Sequence, residues 1–201
     1  MDIPIEIFQL ILDHSDFLTK IRLRCVSTYL HVKLEICDFY HIDRAYSQIL
    51  TDDILRAYAF ITKLNAGSNE KITNVNHLTR LEILNAYGKC GINNQGITGL
   101  KLKKLCCGCN PRITSVDHMS SSLKKLDAES YSGIDDKGIA SLNIIILNAS
   151  FNPRITNISH MTNLKTLYVY DSGISDEHIE SMGLKNLDVW DVPKLVKMKY
   201  Y

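Results

Sequence analysis

Seven leucines stand at nearly equal intervals: Leu64, Leu84, Leu105, Leu126, Leu147, Leu167 and Leu187, separated by 20, 21, 21, 21, 20 and 20 residues. Each centres the same short unit, read as LKKLCC from 102, LKKLDA from 123, LKTLYV from 164 and LKNLDV from 184. Looser copies are ITKLNA from 61, LEILNA from 81 and IIILNA from 144. One unit of this length cannot enclose a core. Its apolar side chains are buried only when successive units stack, so the period dictates an elongated array.

Within a unit the pattern is L-x-x-L-x-[A/C/V]. Alternation along a strand sends the first, fourth and sixth positions to one side, the interior. The sixth position is Ala66, Ala86, Cys107, Ala128, Ala149, Val169 and Val189, so the interior is narrow at that level. The pattern resembles the leucine-rich repeat, whose strand reads L-x-x-L-x-L-x-x-N/C. The resemblance implies an α/β solenoid of short parallel strands wound in right-handed coils.

The units alternate in type. A short type reads GCNPRITSVDHM from 108 and SFNPRITNISHM from 150, with SNEKITNVNHL from 68 as a looser copy. Its Asn69, Asn110 and Asn152 fall at the ninth position, where an amide can satisfy backbone groups of neighbouring coils. A long type reads CGINNQGITGL from 90, SGIDDKGIASL from 132 and SGISDEHIESM from 172, and resembles the cysteine-containing repeat subclass. There, Asp or Asn beside the Ile is placed to cap a short convex-side helix. Residues 39–60 read as an imperfect first repeat or cap, with Ile42 central and LTDDILRAY as its helix. Residues 61–201 form the solenoid proper.

Residues 1–38 do not follow the repeat. Ile7, Leu10 and Ile11 share one helical face, Pro4 suits a first helical turn, and Leu23, Val26 and Leu30 form a second stripe. Ser15 and Asp16 can end one helix and cap the next. IPIEIFQLILDHSDFLTKIRLRCVSTYL resembles the F-box, through Ile3, Pro4, Glu6, Ile7, Ile11, Leu12, Leu23, Val26 and Ser27. Leu30 and His14 depart from its usual pattern. An F-box followed by leucine-rich repeats is a known architecture. The resemblance implies that Ile3, Pro4, Ile7, Ile11, Leu12, Leu23 and Val26 dock a Skp-type adaptor and, through it, a cullin–RING (SCF) ubiquitin ligase. It also implies that the repeats hold a protein substrate. No linker rich in Gly, Ser or Pro separates the two parts, so a rigid junction is expected.

Strand positions 3, 5, 7 and 8 should line the concave side. Early coils show Asn65, Gly67, Asn85 and Tyr87 there. Later coils show Asp127, Glu129, Phe151, Tyr168, Tyr170, Asp171, Asp188, Trp190 and Asp191. Aromatic side chains gather among carboxylates at the C-terminal end. Aromatics are common interface anchors. The candidate substrate-binding residues are therefore Glu129, Phe151, Tyr168, Tyr170, Asp171, Trp190 and Asp191, and a basic substrate is favoured.

Composition narrows the function further. The net charge of +1 lacks the concentrated positive field that nucleic-acid binding needs. No apolar run approaches the length of a membrane span, and the N-terminus lacks a basic n-region, so no membrane partner is expected. Six cysteines without framework spacing read as free thiols of a cytoplasmic or nuclear protein. Cys106, Cys107 and Cys109 look like metal ligands, but alternation sends Cys107 inwards, so no metal is expected. His77, His118 and His160 recur at one position of the short coils, which suggests structure. Lys103, Lys124, Lys165 and Lys185 share a rim position and read as a solvated edge. The paired acids Asp135–Asp136 and Asp176–Glu177 sit at helix starts. No nucleophile–base arrangement or phosphate-binding loop is present, so neither catalysis nor a cofactor is expected.

Overall fold

A computed structural model describes residues 4–183 together with the backbone of residues 188–190. Eight strands form one sheet, all parallel and in strict sequence order. They are β1 (Asp38–Phe39), β2 (Lys63–Asn65), β3 (Ile83–Asn85), β4 (Lys104–Cys106), β5 (Lys125–Asp127), β6 (Ile146–Asn148), β7 (Thr166–Tyr168) and β8 (Asp188–Trp190). Sequential order with parallel pairing means that the chain makes a full circuit between neighbours. This is the geometry of a solenoid.

The expected interior is the observed one over most of the array. Leu64, Leu84, Leu105, Leu126, Leu147 and Leu167 are each at most 1% exposed, and they pair in register from β2 to β7. The small sixth-position residues Ala66, Ala86, Cys107, Ala128 and Ala149 are fully buried. Burying one such leucine stabilises the fold by about 1.5–3 kcal/mol. The repeat therefore specifies its own register by hydrophobic burial.

Both ends depart from the expected register. At the start, Phe39 faces Leu64, so Phe39 takes the central position and Ile42 does not. Phe39 is 1% exposed, and Ile42 packs beyond it in the same core. The first coil is accordingly longer, and carries α4 (Arg44–Ser47) and α5 (Asp52–Arg56). At the far end, Val189 faces Leu167, two residues beyond the expected Leu187. A shift of two preserves strand parity, so pattern alone tolerates either pairing.

Polar side chains fasten coil to coil. Asn110 donates through Nδ2 to the carbonyls of Ala86 (3.0 Å) and Ile92 (3.2 Å), and Asn152 repeats this with Ala128 (2.9 Å) and Ile134 (3.2 Å). Asn69 does the same with Ser47 and Leu50. In the opposite direction, the Asp52 carboxylate accepts from the Thr73 N–H (2.8 Å) and hydroxyl (2.6 Å). Asp136 repeats that clasp on Thr156. Asn94 accepts the Thr114 N–H at 2.8 Å but donates through Nδ2 to its hydroxyl at 2.7 Å. In Asp136, burial disfavours the charge, but the bonds from Thr156 and Asn157 outweigh it and lower the pKa.

The polar residue beside each long-coil Ile braces the turn that follows it. Asn93 and Asp135 accept from the N–H of Gly96 and Gly138 at the start of 3-10 turns, and Ser175 caps α6 (Asp176–Ser181). At Gly138 an added Cβ would come within 2.1 Å of the Thr114 carbonyl oxygen, so only glycine fits. His178 stands at the equivalent place in α6, and its Nε2 accepts the Ile158 N–H at 3.1 Å.

The N-terminal segment folds as α1 (Ile5–Asp13), α2 (Phe17–Arg24) and α3 (Thr28–Lys33). Asp16 caps α2 and Ser27 caps α3 through their side-chain oxygens. The cap at Ser27 breaks the expected stripe, since Leu23 lies on α2, Val26 between helices and Leu30 on α3. The helices share one core with the solenoid. Phe17 meets Phe39 edge-on with centroids 5.2 Å apart, and Gln9 exchanges two hydrogen bonds with the Glu35 backbone.

Candidate protein-binding surfaces

α1 is apolar on both sides. Leu12 points into the core at 1% exposure, with Ile5 and Phe8 half-buried beside it. Ile7, Leu10 and Ile11 face solvent at 45%, 55% and 49%. Helical geometry explains the division, because residues 7, 10 and 11 share a face that residues 5, 8 and 12 oppose. Among the sequence-predicted adaptor residues, Pro4, Ile7, Ile11 and Val26 are exposed, and Leu23 is half-buried against the core. Leu12 is a correction: it seals the core and has no surface to offer a partner. Ile3 lies outside the described residues. Glu6 and Ser27 are exposed. Tyr29 and Val32 on α3 add apolar surface that the stripe did not anticipate.

On the concave sheet, Asp127 and Glu129 lie side by side in one coil. Asn148 in the next coil donates to both, at 3.2 Å to Asp127 Oδ1 and 2.9 Å to Glu129 Oε2. Burial and then the Glu129 charge hold the Asp127 pKa above its ordinary value. Phe151 and Tyr170 pack edge-to-face with centroids 5.0 Å apart, and both are about half exposed. Tyr168 is half-buried and Asp171 exposed. β8 places Trp190 opposite Tyr168 in register, while the Trp190 side chain and Asp191 lie outside the described residues. The structure thus gathers Glu129, Phe151, Tyr168, Tyr170 and Asp171 on the sheet and the turns that follow it.

Tyr131, 86% exposed, escaped the alternation rule. It stands five residues after Leu126, just beyond the strand. Tyr87, Tyr131, Phe151 and Tyr170 are the exposed large apolar residues among the described coils after residue 61, and each follows its central leucine by three to five positions. They fall just beyond the strands. The turn there has a recurring strain: the fourth residue after each central leucine has positive φ, at Ser68, Gly88, Cys109, Ser130, Phe151 and Asp171. Only one of the six is glycine. For a ring-bearing residue such as Phe151 this backbone is unfavourable by about 1–2 kcal/mol.

Cys106 and Cys107 are held in their neutral form. Burial, then Asp127, pushes Cys106 up to about 12, and burial also pushes up the fully buried Cys107. The Tyr87 hydroxyl is pushed up to about 12, first by its hydrogen-bonded contact with the Cys109 sulfur and then by the Cys109 charge. All six cysteines are free, and no group of three or more His, Cys, Asp or Glu among the described residues is arranged to hold a metal. His118 and His160 each bond a carbonyl of the preceding coil, Ile97 at 3.1 Å and Ile139 at 3.0 Å, which is a structural use. Lys103 pairs with Glu82 at 2.6 Å on the rim; Lys124 and Lys165 are exposed, and Lys185 lies outside the described residues.

Comparison with known proteins agrees with this geometry. The chain superposes on the crystal structure of an internalin (inlF) from Listeria monocytogenes with a TM-score of 0.51, over 84% of its own length. The fold is that of a leucine-rich-repeat protein. Sequence identity over the match is 17%, and the chain spans 64% of the internalin's length, so the likeness is one of fold. No protein-family model and no curated protein sequence matches the chain. Among the described residues no helix is long and apolar enough to cross a membrane.

Proposed function

We propose that this protein is a non-enzymatic substrate receptor of an SCF-type cullin–RING ubiquitin ligase, acting in the cytoplasm or nucleus. Its N-terminal helices dock a Skp-type adaptor, and its concave face holds a protein substrate. One observation carries the adaptor reading. The outer face of α1, formed by Ile7, Leu10 and Ile11, is apolar and uncovered, and Pro4 and Val26 are exposed as well. Such a face on a small module marks a partner site. At the other end, the Phe151–Tyr170 pair beside Glu129 and Asp171 suits a basic segment of a substrate, through aromatic contact and charge.

The burial of Leu12, Leu30 and Leu34 in the core shared with the coils favours a second reading, in which the helices only cap a leucine-rich-repeat scaffold or inhibitor. Co-expression with a Skp-type adaptor separates the two. In the receptor reading the adaptor co-purifies, and Ile7→Ser with Ile11→Ser abolishes recovery without lowering the melting temperature. Failure of the wild-type chain to retain any adaptor would leave the cap.

A further inference from the structure

At its N-terminal end the concave sheet opens into a cavity of about 320 Å³, lined by Arg44 and Gln48 of the first coil and by Asn65, Ser68, Asn85 and Tyr87 of the next two. Ligand pockets span about 300–1,000 Å³, so this one suits a single functional group rather than a whole cofactor. No carboxylate lines it. The Arg44 side chain is exposed and makes no hydrogen bond or ion pair among the described residues.

The amides are aimed by their own turns. Oδ1 of Asn65 accepts the Gly67 N–H, and Oδ1 of Asn85 accepts the Tyr87 N–H, both at 3.0 Å. With each oxygen committed, the Nδ2 donors are the ends left over, and neither has an acceptor among the described residues. The hydroxyl of Tyr87 is in hydrogen-bonded contact with the Cys109 sulfur. The chain contains a precedent for what such an amide does. Asn148 makes the same turn, on the Ser150 N–H at 3.1 Å, and spends its Nδ2 on two carboxylates. At Asn65 and Asn85 the matching anion is not supplied by the chain.

We propose that this cavity is an anion subsite, in which Arg44 and the amides of Asn65 and Asn85 grip a carboxylate or phosphate group presented by a bound protein. A guanidinium with neutral donors around it and no carboxylate in the lining is complementary to such a group. The source is either a chain-terminal carboxylate or a phosphorylated side chain. The subsite stands apart from adaptor docking and holds or fails without it.

Titration of the ¹⁵N-labelled full chain with inorganic phosphate and with acetate, each against chloride at matched ionic strength, tests the assignment. Saturable shifts are expected for the Asn65 and Asn85 side-chain amides and for Arg44 Nε–H, with phosphate or acetate but not with chloride. Arg44→Gln weakens the response about tenfold, the loss of one charge-assisted bond. Asn85→Asp abolishes it while keeping the turn, as Asp127 keeps its own by accepting the Glu129 N–H at 3.3 Å. Stronger binding of phosphate identifies a phosphorylated side chain, and equal or stronger binding of acetate a chain terminus. An equal response to chloride, no saturable response, or a response unchanged in a folded Arg44→Gln variant overturns the proposal.

Discussion

Between residues 61 and 183 four large apolar side chains are exposed, all aromatic and all just beyond the strands, whereas residues 4–60 expose nine, spread over α1, α3, the link between α2 and α3, and the first coil. The coils bury by repetition: each leucine is covered by the leucine before and after it, and alternation leaves little apolar surface over. The helices have no such neighbours. α1 must choose which apolar face to bury, and it gives Leu12 to the core and leaves Ile7, Leu10 and Ile11 outside. The lesson is that the two regions use the same residue types for opposite ends, cohesion in the array and surface in the module.

The sharpest way to break this contrast is the same kind of truncation in each region. Leu126→Ala removes a fully packed side chain and is expected to destabilise by about 3–5 kcal/mol in urea unfolding. Ile11→Ala should change stability by less than about 0.5 kcal/mol. Comparable losses would mean that the outer face of α1 is covered in solution. Next in size, Asn110→Ala strips two carbonyls of the coil before it of their partner, with an expected loss of about 2–3 kcal/mol. The same change at half-buried Asn85 loses only the bond from the Tyr87 N–H, which water can replace, and should cost less than about 1 kcal/mol in a thermal melt.

A smaller effect runs the other way. Ser130→Gly relieves a left-handed backbone, a gain of about 1–2 kcal/mol offset by about 0.5–1 kcal/mol of chain entropy, so a small rise in Tm is expected. Phe151→Gly relieves the same backbone but loses the Tyr170 contact, and its shortfall against Ser130→Gly measures that pairing. Last, Asp127 holds its proton more tightly folded than unfolded, so its contribution to stability falls as pH rises from the ordinary carboxylate range through the folded pKa. Asp127→Asn should therefore raise Tm at neutral pH, and the gain should shrink in acid. A constant gain at every pH would show that the carboxylate titrates normally.

Much of the array was legible because a period of 20 or 21 leaves one consistent way to stack Leu64 to Leu167. The ends were not. Phe39 lacks the leucine signature, and at Val189 a two-residue slip keeps parity, so only pairing with Leu167 decides. The helical module was legible as helices, but not which face turns inward, since both faces of α1 are apolar. In the concave surface, alternation located Glu129, Tyr168 and Tyr170 yet missed Tyr131, because the rule ends where the strand ends. The left-handed turn was invisible for a different reason. Gly88 advertises it in one coil, while Ser, Cys, Phe and Asp at the matching positions conceal it.

The two-way fastening of the coils sets how such a chain can change its length. Asn69, Asn110 and Asn152, spaced 41 and 42 apart, each reach back from a short coil into the long one before it, while Asp52, Asn94 and Asp136, spaced 42 and 42, reach forward to its Thr73, Thr114 and Thr156. Each long coil and the short one after it thus form a clasped doublet. Removing one coil leaves a hand without its partner; removing two leaves every clasp matched. Variants of this molecule should therefore gain or lose sequence in doublets, with the single coil a forbidden step.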